Sequence, residues 1–182
     1  MNRIAPFAAT FVWLGALGAG MGIMMEYDAR PGSPGTVADV RSETAASVAG
    51  ECILFLHPKC PCARDTLIAL ARSEYHDPSL RLRIIFVGPT GADEEWWSGR
   101  NWELAKRIRG AVLERDGGGV AARSYGVRTS GHALVYGKGS LRFSGGLAPP
   151  RDESPFELTS GLPNAPAECV RRPVRGCQLF DE

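Results

Sequence analysis

The chain has 182 residues, 21 basic against 20 acidic side chains, a formal net charge of +1 and 44% hydrophobic residues, the make-up of one ordinary globular domain with extensions. This composition excludes a wholly disordered chain, and the even charge balance, with no cluster of Lys and Arg, leaves no electrostatic footprint for nucleic acid as a partner. Five cysteines are too few for a disulfide scaffold, and their odd number leaves at least one thiol unpaired within the chain.

Residues 4–25 (IAPFAATFVWLGALGAGMGIMM) carry no charge. At about 1.5 Å per residue a helix here covers roughly 33 Å, enough for a bilayer core of about 30 Å. A cleaved signal peptide is the competing reading, with Arg3 as its small positive region and residues 16–19 as a small-residue site. The run is longer than a usual signal core of about 7 to 15 residues, so a membrane anchor is expected over 1–25. Arg3 before the run, with Glu26 and Asp28 after it, places the N-terminus in the cytoplasm.

Residues 26–50 hold Pro31, Gly32, Pro34 and Gly35 and then an Ala/Ser/Val stretch, a composition that packs poorly and reads as a flexible linker. Folded structure is expected over 51–148. Residues 52–57 (CILFLH) form an apolar run stopped by Pro58, as in a strand buried on both faces. From Pro61, a good first helical residue, Ala63, Leu67, Leu70 and Ala71 recur on one helical face. Residues 80–87 (LRLRIIFV) start as an alternation and end as a buried run, giving a second strand. Asn101 is expected to cap a helix that runs through Ile108 to Gly110, and residues 111–113 a short strand.

The triplet Gly117, Gly118 and Gly119 is not followed by the Lys and Ser or Thr of a phosphate loop and reads as a turn. Residues 132–136 and 141–143 flank a turn at 137–140, which predicts a hairpin. Strands alternating with helices and closed by this hairpin predict an α/β fold, a mixed sheet with helices on both faces. Residues 149–182 are rich in proline and are expected to form an extension without long helix.

The chemistry concentrates in HPKCPC, residues 57–62. Cys60 and Cys62 sit where a buried strand passes into a helix. Unpaired N–H groups and the positive end of the helix dipole stabilise a thiolate at such a junction, and Lys59 and Arg64 add positive charge nearby. Cys60, at the cap, is the expected nucleophile and Cys62 the resolving thiol. A disulfide between them closes a strained ring that is easily reduced. The rival reading is a metal site, with Cys60 and Cys62 joined by His57 and His132 around copper(I) or zinc. The redox reading needs no cofactor, and the metal reading implies copper. His76, before Asp77 and Pro78, is explained by helix-end dipole stabilisation, and Trp96, Trp97 and Trp102 by core packing. Cys52, inside a strand, reads as a buried inert thiol. Cys169 and Cys177 read either as a structural bridge or with Cys177 near the active face.

With CILFLHPKCPC at a strand end and VAARSYGVRTSGHALVYGKGSLRFSGG further on, the chain resembles the thioredoxin superfamily. Within it, HPKCPC, TSGHALVY, LRFSGG and the closing VRGCQLF resemble the RedB-like exported proteins. The resemblance implies a thioredoxin-like mixed sheet over 51–148 and places His132 opposite Cys60 as an assisting group. Where thioredoxins carry a cis-proline, this chain has Gly131. It also lacks the RGH and GDN run that usually follows FSGG in RedB-like proteins. The function so implied is a membrane-tethered, extracytoplasmic thiol:disulfide oxidoreductase with protein thiols or disulfides as partners. It would be anchored in the bilayer of the bacterial cytoplasmic membrane through residues 4–25, as a single-pass protein with its C-terminal domain on the periplasmic side.

Overall fold

The computed structural model describes residues 4–29, 50–72, 80–137, 139–147 and 169–180. Most of the expected linker, residue 148, residues 149–168 of the proline-rich extension and His76 lie outside the described residues. The chain divides into two compact units, Met1–Arg30 and Pro31–Glu182.

The first unit is the helix α1, Ile4–Ala29. The charge-free run is therefore helical, yet among the described residues no helix is long and apolar enough to cross a membrane. This corrects the expected transmembrane helix, and with it the single-pass placement in the bacterial cytoplasmic membrane. Gly15, Gly18, Gly20 and Gly22 dilute its apolar surface.

In the second unit the described strands form a 6-stranded sheet in the order β3-β2-β1-β4-β5-β6. The central strand β1, Gly50–Leu56, is buried at every position. It pairs in parallel with β2, Leu80–Gly88, and antiparallel with β4, His132–Gly137. A strand with neighbours on both edges and helices on both faces has no solvent side, which is why CILFLH is apolar throughout. Its odd and even residues serve two cores. Cys52, Leu54 and Leu56 face α2, Pro61–Arg72, and α4, Arg100–Ala105, while Ile53 and Phe55 face α5, Val120–Ser124. The short α3, Glu94–Trp97, adds Trp97 to the first core.

The strand expected over 111–113 extends as β3 from Ala111 to Gly117, parallel to β2. Its polar end is held by side chains. Glu114 accepts two hydrogen bonds of 2.7 Å from the Arg83 guanidinium, and Arg115 pairs with Glu94. The Asp116 carboxylate accepts from the Ala121 and Ala122 amides at 3.0 and 2.8 Å and so caps α5. The hairpin forms from β4 and β5, Ser140–Gly146.

The residues after the proline-rich stretch belong to the same body. β6, Val170–Arg171, pairs in parallel with β5. Val174 is buried, and Leu179 is buried in the second core with Phe180 packed beside it.

Candidate active site

After β1 the chain turns through Pro58, Lys59 and Cys60. The Cys60 amide donates to the His57 carbonyl at 3.1 Å, and the Lys59 amide to His57 Nδ1 at 3.2 Å. Pro61 then opens α2, which leaves Cys60 at the cap position, where a side chain accepts from the first unpaired amides of a helix. The Ala63 amide is hydrogen-bonded to the Cys60 sulfur in this manner. Asn101 fixes the turn from beneath. It is buried inside α4, and its Nδ2 donates to the Pro58 and Cys60 carbonyls, both at 2.9 Å. The expected N-cap role for Asn101 is thus corrected: Gly99 occupies the cap of α4, and the Asn101 amide is spent on the cysteine turn.

Burial pushes the Cys60 thiol up, but hydrogen bonds from the Cys177 amide and thiol, the Ala63 amide and the Ser130 hydroxyl outweigh it and hold the thiol below its usual range. Hydrogen bonds stand where the sequence suggested neighbouring charge. Lys59 instead lies over the Trp96 ring, its Nζ 4.0 Å from the centroid, with His57 edge-on to the same ring. Ser130 is positioned by the His57 amide, which donates to its Oγ at 2.9 Å. Cys62 is exposed at the start of α2.

The expected neighbour His132 is elsewhere. It pairs in register with Phe55 and so shares that face of the sheet, whereas Cys60 packs into the core under α2. Its Nε2 lies 2.9 Å from Ser144 Oγ. Burial, aided by Arg171, pushes its pKa down to about 4, so the ring is neutral near pH 7. The four metal ligands considered, Cys60, Cys62, His57 and His132, do not converge: among the described residues no group of three or more His, Cys, Asp or Glu is arranged to hold a metal ion.

All five cysteines are thiols. In place of a bridge to Cys169, Cys177 lies beside Cys60 and close enough to Cys62 to feel its charge. Sequence reasoning left Cys177 undecided and did not find Ser130 or the contact of Asn101. The odd cysteine count and VRGCQLF were the available signals for the first.

Replacing Asn101 by Asp removes both donors and sets carboxylate oxygens against two carbonyls. The expected cost is about 2 kcal/mol in urea unfolding, together with an upward shift of the pH midpoint for Cys60 alkylation. An unchanged midpoint would show that Asn101 supports the fold without setting the thiolate.

No family model matches the chain, and no curated protein matches its sequence. Among solved structures, a hypothetical protein from Sinorhizobium meliloti 1021 is similar over 82% of this chain and 95% of its own, with a TM-score of 0.60 and 18% identity. An uncharacterized conserved protein from Geobacillus kaustophilus is similar over 84% of this chain and 91% of its own, with a TM-score of 0.57 and 16% identity. At these identities the likeness is one of fold.

Proposed function

We propose that the chain is a thiol:disulfide oxidoreductase of thioredoxin-like build, related to the RedB-like proteins, with protein thiols or disulfides as substrates. The observation that carries this reading is the Cys60 sulfur at the cap of α2, receiving hydrogen bonds from the Ala63 and Cys177 amides, the Ser130 hydroxyl and the Cys177 thiol. Such a set stabilises the thiolate, the form that attacks disulfides. The strand order supports the thioredoxin-like part, with parallel β1 and β2 flanked by the antiparallel β4–β5 hairpin and the cysteines at the end of β1.

In the reaction the Cys60 thiolate attacks one sulfur of a substrate disulfide, forming a mixed disulfide and releasing the other sulfur as a thiolate. A second thiol of the chain then attacks the Cys60 sulfur. This expels the remaining substrate sulfur, so the two chain thiols are oxidised as one substrate disulfide is reduced. Two thiols stand near Cys60 for that second step, Cys62, exposed on the first turn of α2, and Cys177, hydrogen-bonded to the Cys60 sulfur.

The test is iodoacetamide alkylation across pH, with disulfide exchange followed in parallel. Cys60 should be alkylated with a midpoint below that of an ordinary cysteine, about 8.5, and Cys60→Ser should abolish exchange. Exchange at the parent rate in Cys60→Ser would sink the proposal, as would a Cys60 midpoint at or above the ordinary value.

A further inference from the structure

The segment 176–179 is laid against the loop before β4 as a short antiparallel pairing. The Ser130 amide donates to the Cys177 carbonyl at 2.8 Å, the Leu179 amide donates to the Arg128 carbonyl at 2.9 Å, and Thr129 and Gln178 form a bridge between them. Both flanks are anchored: Val174 and Leu179 are buried, and Phe180 lies under the Arg123 guanidinium. Gly176 is required at its position, because a Cβ there would stand 2.0 Å from the Ser130 carbonyl oxygen. The loop bends through Gly131 at φ 91°, a region that side chains avoid, and the Gly131 amide is tied to the Phe55 carbonyl at 2.8 Å. Two fixed segments thus hold Cys177 against Cys60, whose residue surface is only 1% exposed.

We infer that Cys177 is the intramolecular disulfide partner of Cys60, carried by a strap that covers Cys60 when seated and resolves its mixed disulfides. This deepens the oxidoreductase reading and rests on it. The alternative pair, Cys60 with Cys62, spans only Pro61, and both residues after Cys60 are already wound into α2. Closing that small ring distorts the first helical turn, whereas a Cys60–Cys177 bridge closes a loop of about 118 residues without touching the helix.

The thiols are also timed by one another. Burial, the hydrogen bond to Cys60 and the Cys60 and Cys62 charges push the Cys177 thiol up to about 12, so it is held as a proton donor while Cys60 is a thiolate. When the strap lifts and Cys60 attacks a disulfide RSSR, Cys60–S–SR forms and RS⁻ leaves. The Cys60 charge that held the Cys177 proton is then gone. The returning strap gives that proton to RS⁻, and the Cys177 thiolate attacks the Cys60 sulfur. The Cys60–Cys177 bond forms, the Cys60–SR bond breaks, and the second RS⁻ departs. Two chain sulfurs are oxidised and one disulfide is reduced.

The experiment uses the full chain with glutathione disulfide, acid quenching and peptide mapping of the disulfides. In Cys62→Ser, the Cys60–Cys177 bridge should be the main oxidised species, with glutathione on Cys60 only in passing. Adding Cys177→Ser should make Cys60-bound glutathione persist at least tenfold longer. Adding Gly176→Ala to Cys62→Ser keeps both thiols but unseats the strap. It should lower the bridge yield at least tenfold while Cys60 is still glutathionylated. Cys60-bound glutathione equally persistent with and without Cys177 overturns the inference alone, and so does a Cys169–Cys177 bridge in its place. A Cys60 that takes no glutathione in any variant overturns the oxidoreductase reading and the inference together.

Discussion

Raising the pH from about 9 to 12 is expected to cost the folded chain about 4 kcal/mol through Cys52 alone. Cys52 is fully buried in β1. Burial, reinforced by the charge of the adjacent Glu51, pushes its thiol from 9.0 up to about 12. In the unfolded chain the same thiol ionises from about 9 upward, so between these values the unfolded state binds fewer protons than the folded one. Stability therefore falls with rising pH in that window, by about 1.4 kcal/mol per pH unit for one such group, and is unaffected by this thiol below it. Urea midpoints measured from pH 8 to 11 on the parent and on Cys52→Ala are expected to separate progressively above pH 9, the parent losing ground. Parallel curves would show that Cys52 does not stay protonated in the fold.

Arg83→Met is expected to destabilise the domain by about 3 kcal/mol, the scale for removing one partner of a buried ion pair. Arg83 lies between two carboxylates, 3.5 Å from the Glu51 side chain, which is 0% exposed, and bidentate to Glu114 on β3. The carboxylates in turn hold its pKa above the usual guanidinium range. Met fills much of the same volume without the charge, so the loss reports on the Arg83 charge removed from beside Glu51 and on the loosened β3 edge. Adding Glu51→Gln should recover more than half of the loss in chemical denaturation. No recovery in the double variant would place the whole effect at Glu114.

What was legible in the sequence follows how local each signal is. CILFLH announces a strand with no solvent side because burial on both faces demands an unbroken apolar run, and the structure gives it the central place in the sheet. Pro61 marks the start of α2 because only a first-turn residue can do without its amide. β3 was foreseen only at its first three residues. Glu114, Arg115 and Asp116 look like loop residues in sequence, and become strand residues because Arg83, Glu94 and the α5 amides supply their partners.

The candidate site was half legible. Cys60 and Cys62 were visible as a pair at a helix start, but the groups that bond Cys60 come partly from residues 130 and 177, and no local pattern encodes such contacts. His132 illustrates the parity problem. It alternates with Ala133 along β4, and only the register with Phe55 decides that it turns away from Cys60. Asn101 satisfied a capping rule on paper, yet its burial beneath the turn makes it a donor to two carbonyls 41 and 43 residues earlier in the chain.

The strap also has a meaning during synthesis. At about 5 to 20 residues per second, Cys177 emerges on the order of ten seconds after Cys62, and Leu179, which completes the second core, emerges later still. Over that interval a nascent chain can fold β1 and α2 while Cys60 has Cys62 as its near thiol neighbour and the Ser130 loop is still unstrapped. In the proposed redox reading, oxidation in that interval would fall on Cys60 and Cys62, and a bond from Cys60 to Cys177 would follow only once Cys177 has emerged.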